Sequence, residues 1–282
     1  MSNGSAYWRL MRFDRPVGIY LLLWPTVWAL WIAGHGQPDW RTVVVFVVGV
    51  VLTRALGCVM NDWCDRDIDG HVERTRSRPL PAGELSPRQA LLCLAILIVL
   101  AGALAVTFLH VGTILLSLVG LALALLYPFA KRCMRYPQAV LGFAFAWGIP
   151  MAFWQMQQRL PLIAWVMLAL TWLWIFVYDT QYALSDLEDD KKLGKIQSSA
   201  QSLGEQAQSI LRLAQAVLVL GWLGLGLQWQ LQGVLFLAVP AMIGWFFYQD
   251  RCVTEGSSAA CFAAFRSHQW LGLIIFVSIL FG

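Results

Sequence analysis

Charged residues are scarce in this 282-residue chain, where Asp, Glu, Lys and Arg together make up 13%. Soluble domains contain roughly 25% of these residues, so the scarcity argues against an ordinary soluble fold. The sequence also lacks a GxxxxGK[ST] loop, a GxGxxG turn after a strand, and any alternating strand pattern. The common nucleotide-binding folds are therefore excluded.

Metal-binding patterns of cysteine and histidine are also missing. The six cysteines form no CxxC pair, and none of the four histidines lies at a zinc-ligand spacing. We interpret the cysteines as reduced packing residues and expect no zinc site. The net charge of +4 is modest; it indicates attraction to anionic lipid rather than a nucleic acid partner.

The chain is instead rich in apolar residues: 59% of its residues are hydrophobic, and its mean hydropathy is +0.64. A helix needs roughly 20 mostly apolar residues to cross a bilayer. We predict a single all-α domain over residues 1–282, a polytopic membrane bundle of about nine transmembrane helices, and we interpret the first as a retained span rather than a signal peptide. The predicted spans are 17–34, 42–60, 90–109, 111–130, 137–156, 161–185, 209–227, 230–248 and 267–281.

The distribution of charge predicts the orientation of this bundle. If the spans alternate, all of the 20 Lys and Arg residues except Arg41, Arg54 and Arg159 lie on one face, and of the acids only Asp39 lies on the other. The positive-inside rule then places the charged face in the cytoplasm of a cell inner membrane. We expect a cytoplasmic cap formed by the 2/3, 4/5, 6/7 and 8/9 loops, with the longest connections at 61–89, 186–208 and 249–266.

Aspartates are concentrated after the second predicted span, in the stretch NDWCDRDID. Asp62, Asp65 and Asp69 are spaced i, i+3 and i+7, so a helix continuing out of the span would carry them on one face. Asn61 lies at the edge of that face. Taken alone, such a charged segment is equally typical of a solvated topogenic loop.

A second set of aspartates ends the sixth span, in YDTQYALSDLEDD. Asp179, Asp186 and Asp190 are spaced i, i+7 and i+11, again on one helix face. Crowded carboxylates near a low-dielectric medium repel unless cations compensate them. Lys and Arg could provide the charge, but oxygen-only ligand sets suit Mg²⁺ shared with substrate phosphates. The two sets together predict a magnesium-diphosphate site.

Several longer segments carry a resemblance to a known family. NDWCDRDIDGHVERTRSRPLPAG, RPVGIYLLLWPTVWALW, YPFAKR, GFAFAWGIPMAFW and YDTQYALSD resemble the UbiA superfamily of intramembrane aromatic prenyltransferases, and look closest to its bacterial 4-hydroxybenzoate branch. The resemblance covers essentially the whole chain, although the segment 187–204 departs from the usual pattern. It implies transfer of an all-trans polyprenyl group from polyprenyl diphosphate to the 3-position of 4-hydroxybenzoate in ubiquinone biosynthesis, with release of diphosphate.

The resemblance also implies roles for individual residues. We expect Mg²⁺ to bind Asn61, Asp62, Asp65, Asp69, Asp186 and Asp190, and we expect the five aspartates and Arg132 to act in catalysis. The residues expected to bind substrate are Arg15, Arg54, Arg66, Lys131, Asp179 and Tyr127. Trp24 and Tyr178 are further candidates for sheltering a carbocation.

Arg15 and Arg54 can also be interpreted without substrate. Arg15 lies at the edge of an apolar run and Arg54 lies within one. A charge inside a membrane is a candidate for function, but a long arginine side chain can also extend to the interface. Two other functions stay open: a sister enzyme that uses homogentisate or dihydroxynaphthoate, and a cation-coupled transporter.

Overall fold

The computed structural model describes residues 3–70, 75–188, 191 and 197–281, without the side chains of Asn3, Ile68 and Lys131. No strand occurs in these ranges, which confirms the predicted all-α class. A short N-terminal helix, α1 (Asn3–Leu10), precedes the first apolar helix. The longer helices that follow are α2 (Val17–Ala33), α3 (Trp40–Asp69), α4 (Pro87–Phe108), α5 (Val111–Cys133), α6 (Pro137–Ala146), α7 (Gly148–Gln157), α8 (Leu162–Ser185), α10 (Ala207–Gln228), α11 (Val239–Glu255) and α12 (Ser258–Leu280). The short helix α9 (Ser199–Leu203) lies between α8 and α10.

A helix occupies the position of every predicted span, but not every one of these helices is long and apolar enough to cross a membrane. In the described part of the chain, seven helical segments are long and apolar enough to cross a membrane, whereas α2 is a shorter apolar helix. A π-helical turn (Val234–Ala238) leads into α11. The count of nine transmembrane helices therefore stays a prediction.

The fifth predicted span is one apolar segment in sequence but two helices in the structure. It breaks at Trp147, between α6 and α7. Pro150 has no N–H to donate to the carbonyl of Ala146, so the helical ladder lacks a hydrogen bond at this point. The break turns Gly148 against α2, where an added Cβ would lie 3.3 Å from the Cβ of Thr26.

The charged connections are shorter than we predicted. The segment 249–266 is almost entirely helical, because Gly256 ends α11 at a φ of 74° and Ser257 caps α12 by accepting a hydrogen bond from the Ala260 N–H. The connection between α5 and α6 contains only residues 134–136. The long connection that we predicted at 249–266 is therefore mostly helical, and the cap formed by the 2/3, 4/5, 6/7 and 8/9 loops stays a prediction.

Two apolar clusters hold the bundle together. The larger cluster surrounds Trp28, Trp174 and Trp222 and joins α2, α7, α8, α10, α11 and α12. The smaller cluster contains Leu10 and Leu56 and joins α1, α3 and α4. Elsewhere large apolar side chains are exposed, especially along α4, as expected for a surface that faces lipid.

Candidate active site

A cavity of about 1020 Å³ is lined by α1 to α8 and by α12, and it joins one charged end to a long apolar body. Along α3 its lining runs from Val45 to Asp69. At 1.5 Å per residue these 24 steps correspond to about 36 Å, more than the thickness of a bilayer core. The cavity can therefore hold a polar group at one end and a long apolar chain behind it.

The charged end contains the first predicted aspartate set. Asp62, Asp65 and Asp69 all lie on α3, all are buried and all line the cavity, together with Asn61. The predicted continuation of the helix beyond the apolar run is confirmed, since α3 ends at Asp69. The spacing i, i+3 and i+7 then gives the carboxylates a common face.

Two arginines that the spacing did not predict neutralise this set. The Arg12 Nη2 donates to both carboxylate oxygens of Asp62 at 2.8 Å. The Arg78 Nη1 donates to Asp62 Oδ1 at 3.1 Å and to Asp69 Oδ2 at 2.5 Å. Arg78 thus lies between two carboxylates, at the place where a cation is most stabilised. The RPLP segment, quoted above for the family resemblance, was the only sequence signal for Arg78.

At this end of the cavity, burial and ion pairing shift the pKa values of the charged groups in opposite directions. Burial raises the pKa of Asp69 above its ordinary value, although the Arg78 guanidinium acts in the opposite direction. Burial acts to lower the pKa of Arg78, but the neighbouring carboxylates of Asp62 and Asp69 outweigh it, so the pKa is raised and the guanidinium stays charged. Arg78 is therefore a buried cation that pairs with both Asp62 and Asp69.

The second predicted set reaches the same cavity in part. Asp179 and Asp186 line it, beside Tyr182. The prediction that one helix carries the whole set was wrong, because α8 ends at Ser185 and Asp186 is its C-cap residue, with a φ of −105° and a ψ of 3°. Asp190 lies outside the described residues.

Besides Asp179, three of the predicted substrate-binding residues line the cavity. Arg15 is exposed at its rim, with its Nε 3.7 Å from Asp14, whereas Tyr127 is half-buried within the wall. Arg54 also lines the cavity, with its Cζ 5.8 Å from the centroid of the Phe145 ring. Trp24 is not part of the lining and packs instead against Gly272.

Arg66 and Arg132 do not line the cavity. Arg66 donates to the Trp63 carbonyl at 2.7 Å and pairs with Asp67; it follows Asp65 directly in the helix, so it faces about 100° away from the aspartates. Arg132 reaches Asp65 from outside the lining, with its Nη2 3.4 Å from Asp65 Oδ1. The structure thus contradicts the expectation that Arg66 faces substrate, and the side chain of Lys131 lies outside the described residues.

The donors at the charged end fit Mg²⁺ in chemistry. Asn61, Asp62, Asp65 and Asp69 present amide and carboxylate oxygens to it, the donors that this ion prefers. Within the described ranges, however, no three His, Cys, Asp or Glu side chains converge closely enough to form a metal site. Arg78 occupies the space between Asp62 and Asp69, so metal binding there requires this arginine to move.

Comparisons with known proteins agree with this architecture. Over 278 residues the chain is 45% identical to a 4-hydroxybenzoate octaprenyltransferase of Methylococcus capsulatus, covering 99% of this chain and 94% of the relative. It is 47% identical over 271 residues to a protein of the same name from Pseudomonas fluorescens, covering 96% and 91%.

Solved structures share the fold at low sequence identity. A UbiA homolog from Archaeoglobus fulgidus, solved with GPP and Mg²⁺ bound, matches with a TM-score of 0.71 at 18% identity and covers 96% of this chain and 99% of its own. A UbiA homolog from Aeropyrum pernix matches with a TM-score of 0.71 at 22% identity and covers 92% and 94%. The model of the UbiA prenyltransferase family matches residues 22–279, and the chain is an integral, multi-pass membrane protein that belongs to this family.

Proposed function

We propose that the protein transfers an all-trans polyprenyl group from polyprenyl diphosphate to the 3-position of 4-hydroxybenzoate, with release of diphosphate, as a step of ubiquinone biosynthesis in the inner membrane. The observation that carries this proposal is a single cavity that combines buried aspartates, a recessed arginine and an apolar body. The curated relatives with that activity are 44–47% identical over nearly the whole chain. The positive-inside distribution supports a cytoplasmic position for the charged end.

Mg²⁺ is the proposed cofactor, and its bound form in the Archaeoglobus homolog supports this choice. When bound, it supplies Lewis-acid stabilisation of the charge that develops on the leaving diphosphate. The proposed ligands are Asn61, Asp62, Asp65, Asp69 and Asp186 in the described residues, and Asp190 outside them.

Arg12 and Arg78 have a second role in this proposal. They compensate Asp62 and Asp69 when no metal is present. Once the carboxylates bind metal, each guanidinium is released and can donate to phosphate oxygens, to which arginine binds in a bidentate geometry. In this proposal Asp62 and Asp69 pair with arginines before metal binds and with Mg²⁺ afterwards, so their charge is compensated in both states.

Arg54 is the residue that we propose to bind the carboxylate of 4-hydroxybenzoate. It lies eight residues before Asp62 in α3, about 12 Å further into the membrane. Its guanidinium lines the cavity, and its Nε is buried without a hydrogen-bond partner among the described residues. A buried donor without a partner is costly, and an incoming carboxylate would remove that cost.

The remaining lining suits an allylic cation and its chain. Tyr127 and Tyr178 contribute aromatic faces near the charged end, which can stabilise a carbocation by cation–π attraction. Leu21, Phe46 and Leu104 belong to the apolar body, which excludes the water that would otherwise capture the cation.

A cation-coupled transporter fits the structure less well. Such a protein is expected to carry ionisable residues near the midplane of its spans. Among the described residues of the cavity, Asp62, Asp65 and Asp69 lie at the end of α3 and Asp186 lies at the end of α8. Asp179 lies six residues before the end of α8, and Arg54 lies 15 residues before the end of α3.

The test is a product assay with purified protein, octaprenyl diphosphate, Mg²⁺ and a panel of acceptors that includes 4-hydroxybenzoate, homogentisate and 1,4-dihydroxy-2-naphthoate. We expect 3-polyprenyl-4-hydroxybenzoate as the main product. Product from another acceptor alone would identify a sister enzyme, and the absence of any prenylated product would refute the proposal. Asp62→Ala should lower kcat by at least about 10²-fold, the usual loss for an electrostatic stabiliser.

The role of Arg54 is tested separately by Arg54→Leu. We expect a higher KM for 4-hydroxybenzoate, an unchanged KM for the diphosphate, and little effect on the neutral analogue 4-hydroxybenzamide. Arg212→Leu is the control, because Arg212 pairs with Asp250 at an exposed position outside the cavity. An unchanged KM for 4-hydroxybenzoate in Arg54→Leu would argue for a structural or phosphate-binding role.

A further inference from the structure

Gly18 lies where the first turn of α2 meets the Arg54 side chain. It is buried and lines the cavity. A Cβ added at this position would lie 2.7 Å from Arg54 Cζ and closer still to Nε and Nη2. The guanidinium of Arg54 therefore fills the volume that any side chain at position 18 would need.

Hydrogen bonds do not hold Arg54 in this position. Among the described residues its guanidinium makes no hydrogen bond and no ion pair, and its Cζ lies 5.8 Å from the centroid of the Phe145 ring. Arginine has a flexible stem with several rotatable bonds. Its position is then limited by packing against the cavity wall, which includes Gly18 and Phe145.

Other glycines in the cavity wall do not act in this way. Gly57 and Gly102 also line the cavity, but a Cβ at either position would meet nothing within 4 Å. Gly120 and Gly148 also line the cavity and make close approaches, but to Trp147 and Thr26. Among these lining glycines, the contact at Gly18 is the one made with the Arg54 guanidinium.

We infer that Gly18 is a positioning residue, which directs the Arg54 guanidinium into the cavity and so selects acceptors that carry a carboxylate. This inference rests on the proposed binding of the 4-hydroxybenzoate carboxylate by Arg54. Gly18 itself touches Arg54, and it acts on the acceptor only through that guanidinium.

The variant Gly18→Ala tests the inference with little risk to the fold. The atoms that it would displace are the far end of a flexible side chain, so the guanidinium moves while the helices keep their packing. We expect the KM for 4-hydroxybenzoate to rise at least about tenfold, as for a weakened hydrogen bond to a charged group. The KM for octaprenyl diphosphate should stay unchanged, as should the rate with 4-hydroxybenzamide.

Gly244→Ala is the matched control. Gly244 is a helical glycine in α11, outside the cavity lining, with nothing within 4 Å of an added Cβ. It reports the effect of replacing glycine by alanine in a helix without a contact to Arg54. Its KM for 4-hydroxybenzoate should equal that of the wild type.

A double variant separates positioning from general damage to the site. If Gly18 acts through Arg54, then Gly18→Ala should have no further effect on the KM in an Arg54→Leu background. Three results would each overturn the inference. They are an equal rise in the KM for 4-hydroxybenzoate and for octaprenyl diphosphate, additive rises in the KM for 4-hydroxybenzoate in the double variant, and an unchanged KM for 4-hydroxybenzoate in Gly18→Ala. A wild-type protein that does not prenylate 4-hydroxybenzoate would instead refute the proposed function, so the two failures are distinguishable.

Discussion

Replacement of Arg78 by alanine should destabilise the protein through the carboxylates that it leaves behind. The side chain of Arg78 is 16% exposed, and those of Asp62 and Asp69 are 1% and 9% exposed. Removing one partner of a buried ion pair costs about 3–5 kcal/mol. Asp62 keeps Arg12, so the loss falls mainly on Asp69, and we expect about 3 kcal/mol.

The loss of stability in Arg78→Ala should depend on pH in a direction that the pKa of Asp69 determines. Burial raises the pKa of Asp69, and Arg78 opposes that rise, so its removal raises the pKa further. A carboxyl with a higher pKa in the folded state holds its proton more tightly when folded, and stability then falls as the pH rises from the unfolded value of about 3.9 through the folded pKa. The stability difference between Arg78→Ala and the wild type should therefore narrow on acidification.

Thermal unfolding in detergent, with EDTA or with Mg²⁺, measures both effects. At about 2–4 °C per kcal/mol, Arg78→Ala should lower the Tm by roughly 6 °C or more near neutral pH. Mg²⁺ should raise the Tm of the variant more than that of the wild type, because no guanidinium has to be displaced. Arg212→Ala breaks an exposed pair and should change the Tm little; a Tm of Arg78→Ala equal to that of Arg212→Ala at every pH would refute the reasoning.

Three further predictions concern the metal, the packing and a buried polar network. EDTA should abolish prenyl transfer, and Mg²⁺ should restore it; activity that persists in EDTA would exclude the proposed ligands. Gly233→Ala should destabilise by about 2 kcal/mol or more in thermal unfolding, because the new Cβ would lie 3.0 Å from the backbone carbon of Ser278 and closer to its oxygen, whereas Gly244→Ala should not. Gln249→Leu should cost about 1–3 kcal/mol, since Gln249 bonds to Gln181 and other buried partners; an unchanged Tm would show that this network contributes little.

The positions of the helices were largely predictable because runs of about 20 apolar residues have few other solutions in a membrane protein. Hydropathy is less informative about helix ends. The last helix begins at Ser258, although we predicted its span from 267, because the Ser257 cap and the left-handed Gly256 set its start. The break at Trp147 depends on one proline, Pro150, inside an otherwise continuous apolar run.

The site was predictable where one helix carries it and was not where separate segments meet. The common face of Asp62, Asp65 and Asp69 follows from spacing alone. The contacts of Arg12 and Arg78 do not, because they join Asp62 across 50 and 16 residues of chain. No local pattern encodes such pairs, and the three-dimensional path of the chain is needed to find them.

Arg12, Asp62, Asp69 and Arg78 all belong to the first 78 residues of the chain. Ribosomes make a protein from its N-terminus at about 5–20 residues per second, so these four residues are synthesised before α4 to α12. The carboxylates and their two arginine partners can consequently meet during synthesis, while the rest of the bundle is still being made. If the arginine partners lay near the C-terminus instead, Asp62 and Asp69 would stay unpaired at the membrane until translation was nearly complete.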